Sequence, residues 1–435
     1  MAKPGSGRVK RFYCSVFLAL GYSVAVRAQE GRGYAEVRVS WFDGVLGSRW
    51  QLIERIRPTL ETEVSERIKI VATVDAALAQ GRDLDTELAR TLRDSELSPQ
   101  LSAADCLWHV PENRIHRIDL VEDYLRVDRL YLDLYAGVVD IRVGRQALNW
   151  GTAQFLSPND PFPELLLAEP WRPRKGINAA RVSLRLGDVS DLTGVVATND
   201  ALTETWAAGR MRLNLFSLDF TFVGAWRGED RNALAGIGIR GTLELGFWIE
   251  AAYLFGVDRH EEIAVGVDYS FPVFESATLF VQYYRNGAGA SGQQSYPSNA
   301  DLSGLELPYC RVPFPFALPV TPDPFAPFTA AKNYLVAGAT LQICLDLSIS
   351  ASLLHNLDDT TGMVVPTVTY SALDWLDFAV SAQLPYAAVY ASGEFKPSAV
   401  SQTLFVPLPD GSLGTVDLSG LLPDTTVTAW TRASF

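Results

Sequence analysis

The densest run of chemically capable residues is Val143-Gly144-Arg145-Gln146-Ala147-Leu148-Asn149-Trp150-Gly151, continuing through Gln154 to Leu156-Ser157-Pro158-Asn159-Asp160-Pro161-Phe162. Asn149, Gln154 and Asn159 bring amides, Asp160 brings a carboxylate and Trp150 an aromatic face. Such groups bond hydroxyls and stack on a sugar ring. The same run carries Gly151, Pro158 and Pro161, residues that permit and stiffen tight turns. Asn159 and Asp160 can also tie up backbone amides of a loop. Loop shaping and solute contact are therefore both open readings of this run. Glu164 and Glu169 follow it, then Arg172, Arg174 and Lys175.

Signals for reaction chemistry are thin. His109, His116, His260 and His355 are scattered, and His260-Glu261-Glu262 lacks a second histidine at zincin spacing. No G-x-S-x-G elbow, phosphate loop or G-x-G-x-x-G run occurs. No catalytic residue, metal or cofactor is assigned, and the expectation is a protein that is not an enzyme. Four cysteines in 435 residues do not make a disulfide scaffold. With 37 basic and 50 acidic residues the net charge is −13, which argues against a nucleic-acid binder acting through a basic face.

The elements that must position these groups read as strands. Leu345, Leu347, Ile349, Ala351 and Leu353 alternate with Asp346, Ser348, Ser350 and Ser352. Leu376, Phe378, Val380 and Ala382 likewise oppose Asp377, Ser381 and Gln383. A period of two with one apolar face is a half-buried strand. About eighteen such segments lie between residues 34 and 435, and no internal apolar run is long enough for a membrane-spanning helix. Segment 83–97 has the spacing of a short amphipathic helix in a loop, with Leu84, Leu88 and Leu92 on one face.

The N-terminus predicts export. Lys3, Arg8, Lys10 and Arg11 precede an apolar stretch from Phe12 to Val26, and Val26-Arg27-Ala28 predicts cleavage after Ala28. Residues 1–28 are read as a signal peptide and 29–435 as one β-barrel domain. Cleavage removes five basic residues and takes the net charge from −13 to −18.

Connections between strands are sorted by length. Even-numbered ones are tight, as at Ala136-Gly137, Gly187-Asp188 and Glu244-Leu245. Odd-numbered ones include 80–122, 148–177, 286–332 and 384–425. Short turns on one rim and long loops on the other predict an all-β fold: a transmembrane, antiparallel, up-and-down barrel. It has 16–18 strands, 18 by the segment count, with long extracellular loops and short periplasmic turns. Closure leaves no sheet edge. Trp41, Trp50, Trp226, Tyr253, Tyr370 and Trp375 fall near strand ends, where interfacial aromatics belong. The chain ends on Phe435, which resembles the C-terminal signal that outer-membrane barrels present to their assembly machinery.

The G-R-Q-x-x-x-W-G run of residues 144–151 and P-N-D-P at 158–161 resemble a motif of bacterial outer-membrane barrels. They are similar to families related to alginate-export channels and capsule surface-assembly barrels. The specific match covers roughly 20 residues, while the general barrel pattern spans nearly the whole mature chain. The resemblance implies a porin-like barrel in the bacterial outer membrane, in contact with lipid and lipopolysaccharide, and handling small polar solutes or saccharides. In such barrels the third long loop, here 148–177, often folds inward and narrows the pore.

On this expectation Arg142, Arg181, Arg185, Arg210, Arg212 and Arg240 face the lumen. Asp133, Asp140, Glu250, Asp268, Asp346 and Asp377 face it too. Opposed charged walls would set a transverse field, whereas interleaved charges would neutralise one another. The overall acidity tilts the expectation toward cations. Asn149, Trp150, Gln154, Asn159, Asp160, Arg172, Arg174 and Lys175 complete the constriction candidates. The function expected is passive passage of small polar solutes or saccharides. The alternatives are a non-conducting surface barrel that binds polysaccharide or another partner, and a barrel for hydrophobic-ligand uptake. Loop 286–332, rich in Pro and Phe, fits a lid, a plug or a contact with another subunit or lipopolysaccharide. Cys106 and Cys310 are the two cysteines that topology would let pair, with Cys344 at a short turn.

Overall fold

The structure is a computed structural model. It describes residues 30–43, 49–81, 125–162, 174, 176–198, 202, 205–227, 233–256, 259–289, 291, 331–388, 394–395, 403–407, 413–417 and 425–435. Residues 1–29, segment 83–97, Cys106 and Cys310, Arg172, Lys175 and most of loop 286–332 lie outside the described residues.

Eighteen antiparallel strands close into one barrel. In chain order they start β1 (Glu30–Asp43), β2 (Arg49–Ser65), β3 (Ile68–Gly81), β4 (Leu125–Ala136), β5 (Val139–Gln146) and β6 (Ile177–Arg185). Next come β7 (Asp191–Thr198), β8 (Thr205–Leu215), β9 (Leu218–Arg227), β10 (Ala233–Thr242), β11 (Gly246–Phe255) and β12 (His260–Phe271). Then follow β13 (Ser276–Asn286), β14 (Asn333–Cys344), β15 (Leu347–Asn356), β16 (Thr361–Leu373) and β17 (Leu376–Ala387). A small hairpin, β18 (Thr403–Pro407) with β19 (Leu413–Asp417), lies in the last connection and outside the barrel sheet. The last barrel strand is β20 (Thr425–Ser434).

Closure is made by β1 against β20, with Trp41 opposite Val427 and Glu36 opposite Arg432. Gly33 and Phe435 exchange two backbone hydrogen bonds of 2.8 and 2.9 Å, so the final aromatic is tied into the seam. Every ladder is completed within the sheet, which is what an apolar surrounding demands.

Alternation decides the faces. Val143, Val182, Ile237, Ile249, Val265, Val281, Val368 and Val380 are exposed on the outer surface. The partners one residue away point inward. Trp41, Trp50, Trp226 and Tyr253 are exposed at the long-loop end, and Tyr370 and Trp375 at the short-turn end. They mark two aromatic girdles, as expected for a membrane barrel.

Two expectations need correction. Asp346 lies in the turn Leu345-Asp346 and is exposed there, because β14 ends at Cys344 and β15 starts at Leu347. The last connection is not plain loop: it contains β18 and β19. Its Leu-Phe-Val run followed by Pro409-Asp410-Gly411 carries a legible hairpin signal.

Candidate functional site

The described first half of the connection between β5 and β6, residues 147–162, turns into the barrel. Residues 147–162 follow the inner wall from β6 round to β15, and the wall is built to receive them. Leu148 and Trp150 pack on Ala179, Val195, Ala197, Ala208, Val223, Ala225, Leu234, Ala252 and Leu254, with Phe162 beside them. These inward positions on β6 to β11 are mostly small, so a second layer of chain fits between wall and lumen. Further along, Leu156 packs on Ala264, Tyr284, Tyr334, Val336 and Leu354, which extends the contact to β15.

Polar latches hold this layer. Glu250 on β11 is fully buried, and its carboxylate accepts from the segment 152–159. Thr152 donates through its N–H at 2.5 Å and also through its hydroxyl, Ala153 through its N–H at 3.0 Å and Ser157 through its hydroxyl at 2.5 Å. Charge-assisted bonds of this kind are the stronger class, and they satisfy loop N–H groups that burial would otherwise orphan. Gln282 on β13 acts as a two-way clamp. Its oxygen accepts from Gln154 N–H at 3.2 Å and from Trp248 Nε1 at 3.1 Å, and its amide donates to Leu156 O at 2.7 Å.

The base of the loop is stapled separately. Arg174 Nη1 donates to Asp160 Oδ2 at 2.6 Å and to the carbonyls of Leu148 and Phe162. Asp160 also receives Phe162 N–H at 3.2 Å. On the return leg Gly176 N–H donates to Asp128 at 3.1 Å, and Arg129 donates to the Arg174 carbonyl. Asp128 is itself paired with Arg57 at 2.6 Å.

The candidates of the motif separate into two groups. Asn149 and Gln154 are exposed, so their amides are open to solvent. Trp150, Asn159 and Asp160 are buried. The Trp150 ring meets Phe162 edge-on at 5.9 Å and lies under the Arg210 guanidinium at 5.6 Å. It is an anchor against the wall and is not presented as a stacking platform. Asn159 sits against Gly236 and Gly238 of β10, where a side chain on Gly236 would collide with its amide.

The lumen charges interleave. Arg142 grips Asp133 with bonds of 2.5 and 2.8 Å, and Arg185 reaches Asp140 at 2.9 Å. Arg210 and Arg212 share Asp191 at 3.2 and 3.0 Å. Arg240 donates to the Thr152 carbonyl at 3.2 Å and so touches the loop. Acids and bases thus share one wall on β4 to β8, which is the neutralising arrangement. Arg181 has no carboxylate within ion-pair reach among the described residues, and its Nε is buried without a hydrogen bond. Its cross-strand neighbour is Arg142.

Sequence reasoning placed Glu250 in the lumen without its role as a latch, and missed Gln282, Gly236 and Gly238. The Gly-x-Gly spacing on an inward face was the available signal, since it marks close approach of another chain segment.

No family model matches the sequence, and no curated protein matches it either. Solved structures do share its fold. OccK5 (OpdH) of Pseudomonas aeruginosa superposes with a TM-score of 0.51 at 8% identity, over 94% of this chain and 98% of that one. Wzi of Escherichia coli, described as an outer-membrane carbohydrate-binding β-barrel involved in group 1 capsule assembly, gives 0.51 at 8% identity over 100% and 90%. The outer-membrane protein OprD of Pseudomonas aeruginosa gives 0.50 at 10% identity over 94% of each chain. The chain has the fold of an outer-membrane β-barrel of porin-like type.

Proposed function

We propose that the protein is a channel of the bacterial outer membrane that passes small polar solutes or saccharides passively, through a lumen narrowed by the β5–β6 loop. The supporting observation is the inward layer of residues 147–162 pinned by Glu250. A loop held by buried charge-assisted bonds keeps its position while solute and water exchange beside it. Its exposed amides, Asn149 and Gln154, are donors and acceptors suited to hydroxyls. Arg142, Arg181, Arg185, Arg210, Arg212 and Arg240 line the wall beside it, and Arg172 and Lys175 belong to the same connection. The interleaved pairs favour a weakly selective polar lining over a strong transverse field. In this reading residues 1–28 direct export, Phe435 is presented to the barrel assembly machinery, and lipid and lipopolysaccharide surround the belt.

A second reading is a non-conducting surface barrel that binds polysaccharide through its loops. The crowded interior and the likeness in fold to Wzi favour it. Planar-bilayer recording of the refolded mature chain separates the two. Steady unit currents support the channel. A folded, heat-modifiable barrel that passes no current overturns it and leaves the surface barrel.

A further inference from the structure

We infer that Glu394 and Phe395, from the connection after β17, are a second part of the constriction, and that Glu394 positions it through Tyr334. The inference rests on the channel reading above. The Glu394 carboxylate accepts from the Tyr334 hydroxyl at 2.6 Å and from Asn356 Nδ2 at 2.8 Å. Its own N–H donates to Asp359 Oδ2 at 2.7 Å, and Phe395 N–H donates to Thr361 Oγ1 at 3.3 Å. Tyr334, Asn356, Asp359 and Thr361 are all fully buried at the inner, long-loop ends of β14 to β16. Four bonds to four fixed partners specify the position of these two residues.

Phe395 also meets the cluster that seats the β5–β6 loop. The Phe395 ring packs on the cluster that contains Leu156, Tyr284, Tyr334 and Leu354. Leu156 belongs to the β5–β6 loop, whereas Phe395 comes from the opposite end of the chain. Tyr334 serves both: its ring lies in the Leu156 cluster, and its hydroxyl accepts Ala331 N–H at 2.6 Å while donating to Glu394. Two segments that share a packed cluster and one tyrosine are coupled, so moving either changes the seat of the other. A carboxylate that accepts from a phenol and an amide fixes Glu394 at this place without a covalent tie.

The test uses the full mature chain, with Cys106, Cys310 and Cys344 replaced by serine. Phe395→Cys is labelled with a small thiosulfonate reagent in this background, with and without Tyr334→Phe or Glu394→Gln. Single-channel conductance is recorded in parallel for Glu394→Gln, Leu156→Ala and the double variant. The expected result is slow labelling that Tyr334→Phe and Glu394→Gln accelerate. Each single variant should also show larger unit conductance, with a combined effect that differs from the product of the two. Labelling that is fast from the start, or unmoved by either variant, overturns the clasp whatever the current does. Normal clasp behaviour with conductance identical in all variants overturns its place in the constriction. Absence of current in every variant, with labelling as expected, removes the channel reading instead and with it the constriction role. Unchanged heat modifiability on gels shows that each variant is a folded barrel.

Discussion

Glu250→Ala is the sharpest perturbation of the pinned loop. The carboxylate holds Thr152 N–H, Ala153 N–H and the Thr152 and Ser157 hydroxyls, all from one short segment. Truncation leaves at least two backbone donors and one hydroxyl without their acceptor in a partly buried site. An orphaned buried donor costs about 1–3 kcal/mol, so three of them weaken the pinned state by roughly 3–9 kcal/mol if no water replaces the carboxylate. At about 1.4 kcal/mol per tenfold, that moves the ratio of pinned to released loop by roughly two to six orders of magnitude. Contacts of Leu148, Trp150 and Leu156 with the wall oppose release, so the expected outcome is a loop that fluctuates while the barrel stays folded. Single-channel recording should show larger mean conductance and added open-channel noise, and liposome swelling should admit larger sugars. Glu250→Gln keeps the shape and one acceptor oxygen and should fall between wild type and Glu250→Ala. A folded Glu250→Ala barrel with wild-type conductance, noise and size cut-off would refute the reasoning.

Other perturbations probe the same layer from different sides. Gly236→Ala should displace the loop, because the added methyl collides with the Asn159 amide, whereas Gly238→Ala, with 3.0 Å to that amide, should act more weakly; the ordering of their conductances checks this. Trp150→Ala removes an aromatic anchor from the apolar patch, a change that costs about 3–5 kcal/mol in a closed core, and should raise channel noise without altering heat modifiability. Arg181→Gln removes a lumen cation that has no carboxylate within ion-pair reach among the described residues and should shift reversal potentials in a salt gradient toward cation preference, while Arg142→Gln, which frees Asp133, should shift them further.

The barrel was legible because alternation is a local property. One apolar face in two forces a strand, and eighteen such faces with sorted turns leave one closed arrangement. The inward course of the β5–β6 loop was legible only as an expectation attached to its motif. Its route along β6 to β15 depends on how small the wall residues Ala208, Val223, Ala225 and Ala252 are at facing positions, and that requires the register between strands. The charge pattern failed to resolve for the same reason. Arg142 and Asp133 look like members of two opposed sets until cross-strand pairing puts them side by side. Trp150 was ambiguous because an aromatic in a loop can serve as platform or anchor, and only burial tells which. Glu394 carried no signal at all, since a glutamate in a long connection is ordinarily solvated.

The interior follows one physical rule. A barrel of eighteen strands is wide enough to hold water, yet this inner wall is apolar over much of β6 to β11. An apolar wall left facing water would be costly, and covering it with the chain's own Leu148, Trp150 and Phe162 removes that cost. The covering layer then presents polar groups toward the lumen and is itself kept in place by Glu250 and Gln282. Small wall residues, an amphipathic loop and buried polar latches are thus three parts of one solution. Each part fails without the others: a larger wall would expel the loop, a polar loop would leave the wall bare, and an unlatched loop would orphan its backbone. That interdependence is why single changes at Gly236, Trp150 and Glu250 should converge on one phenotype, a wider and noisier lumen, although the three residues share no chemistry.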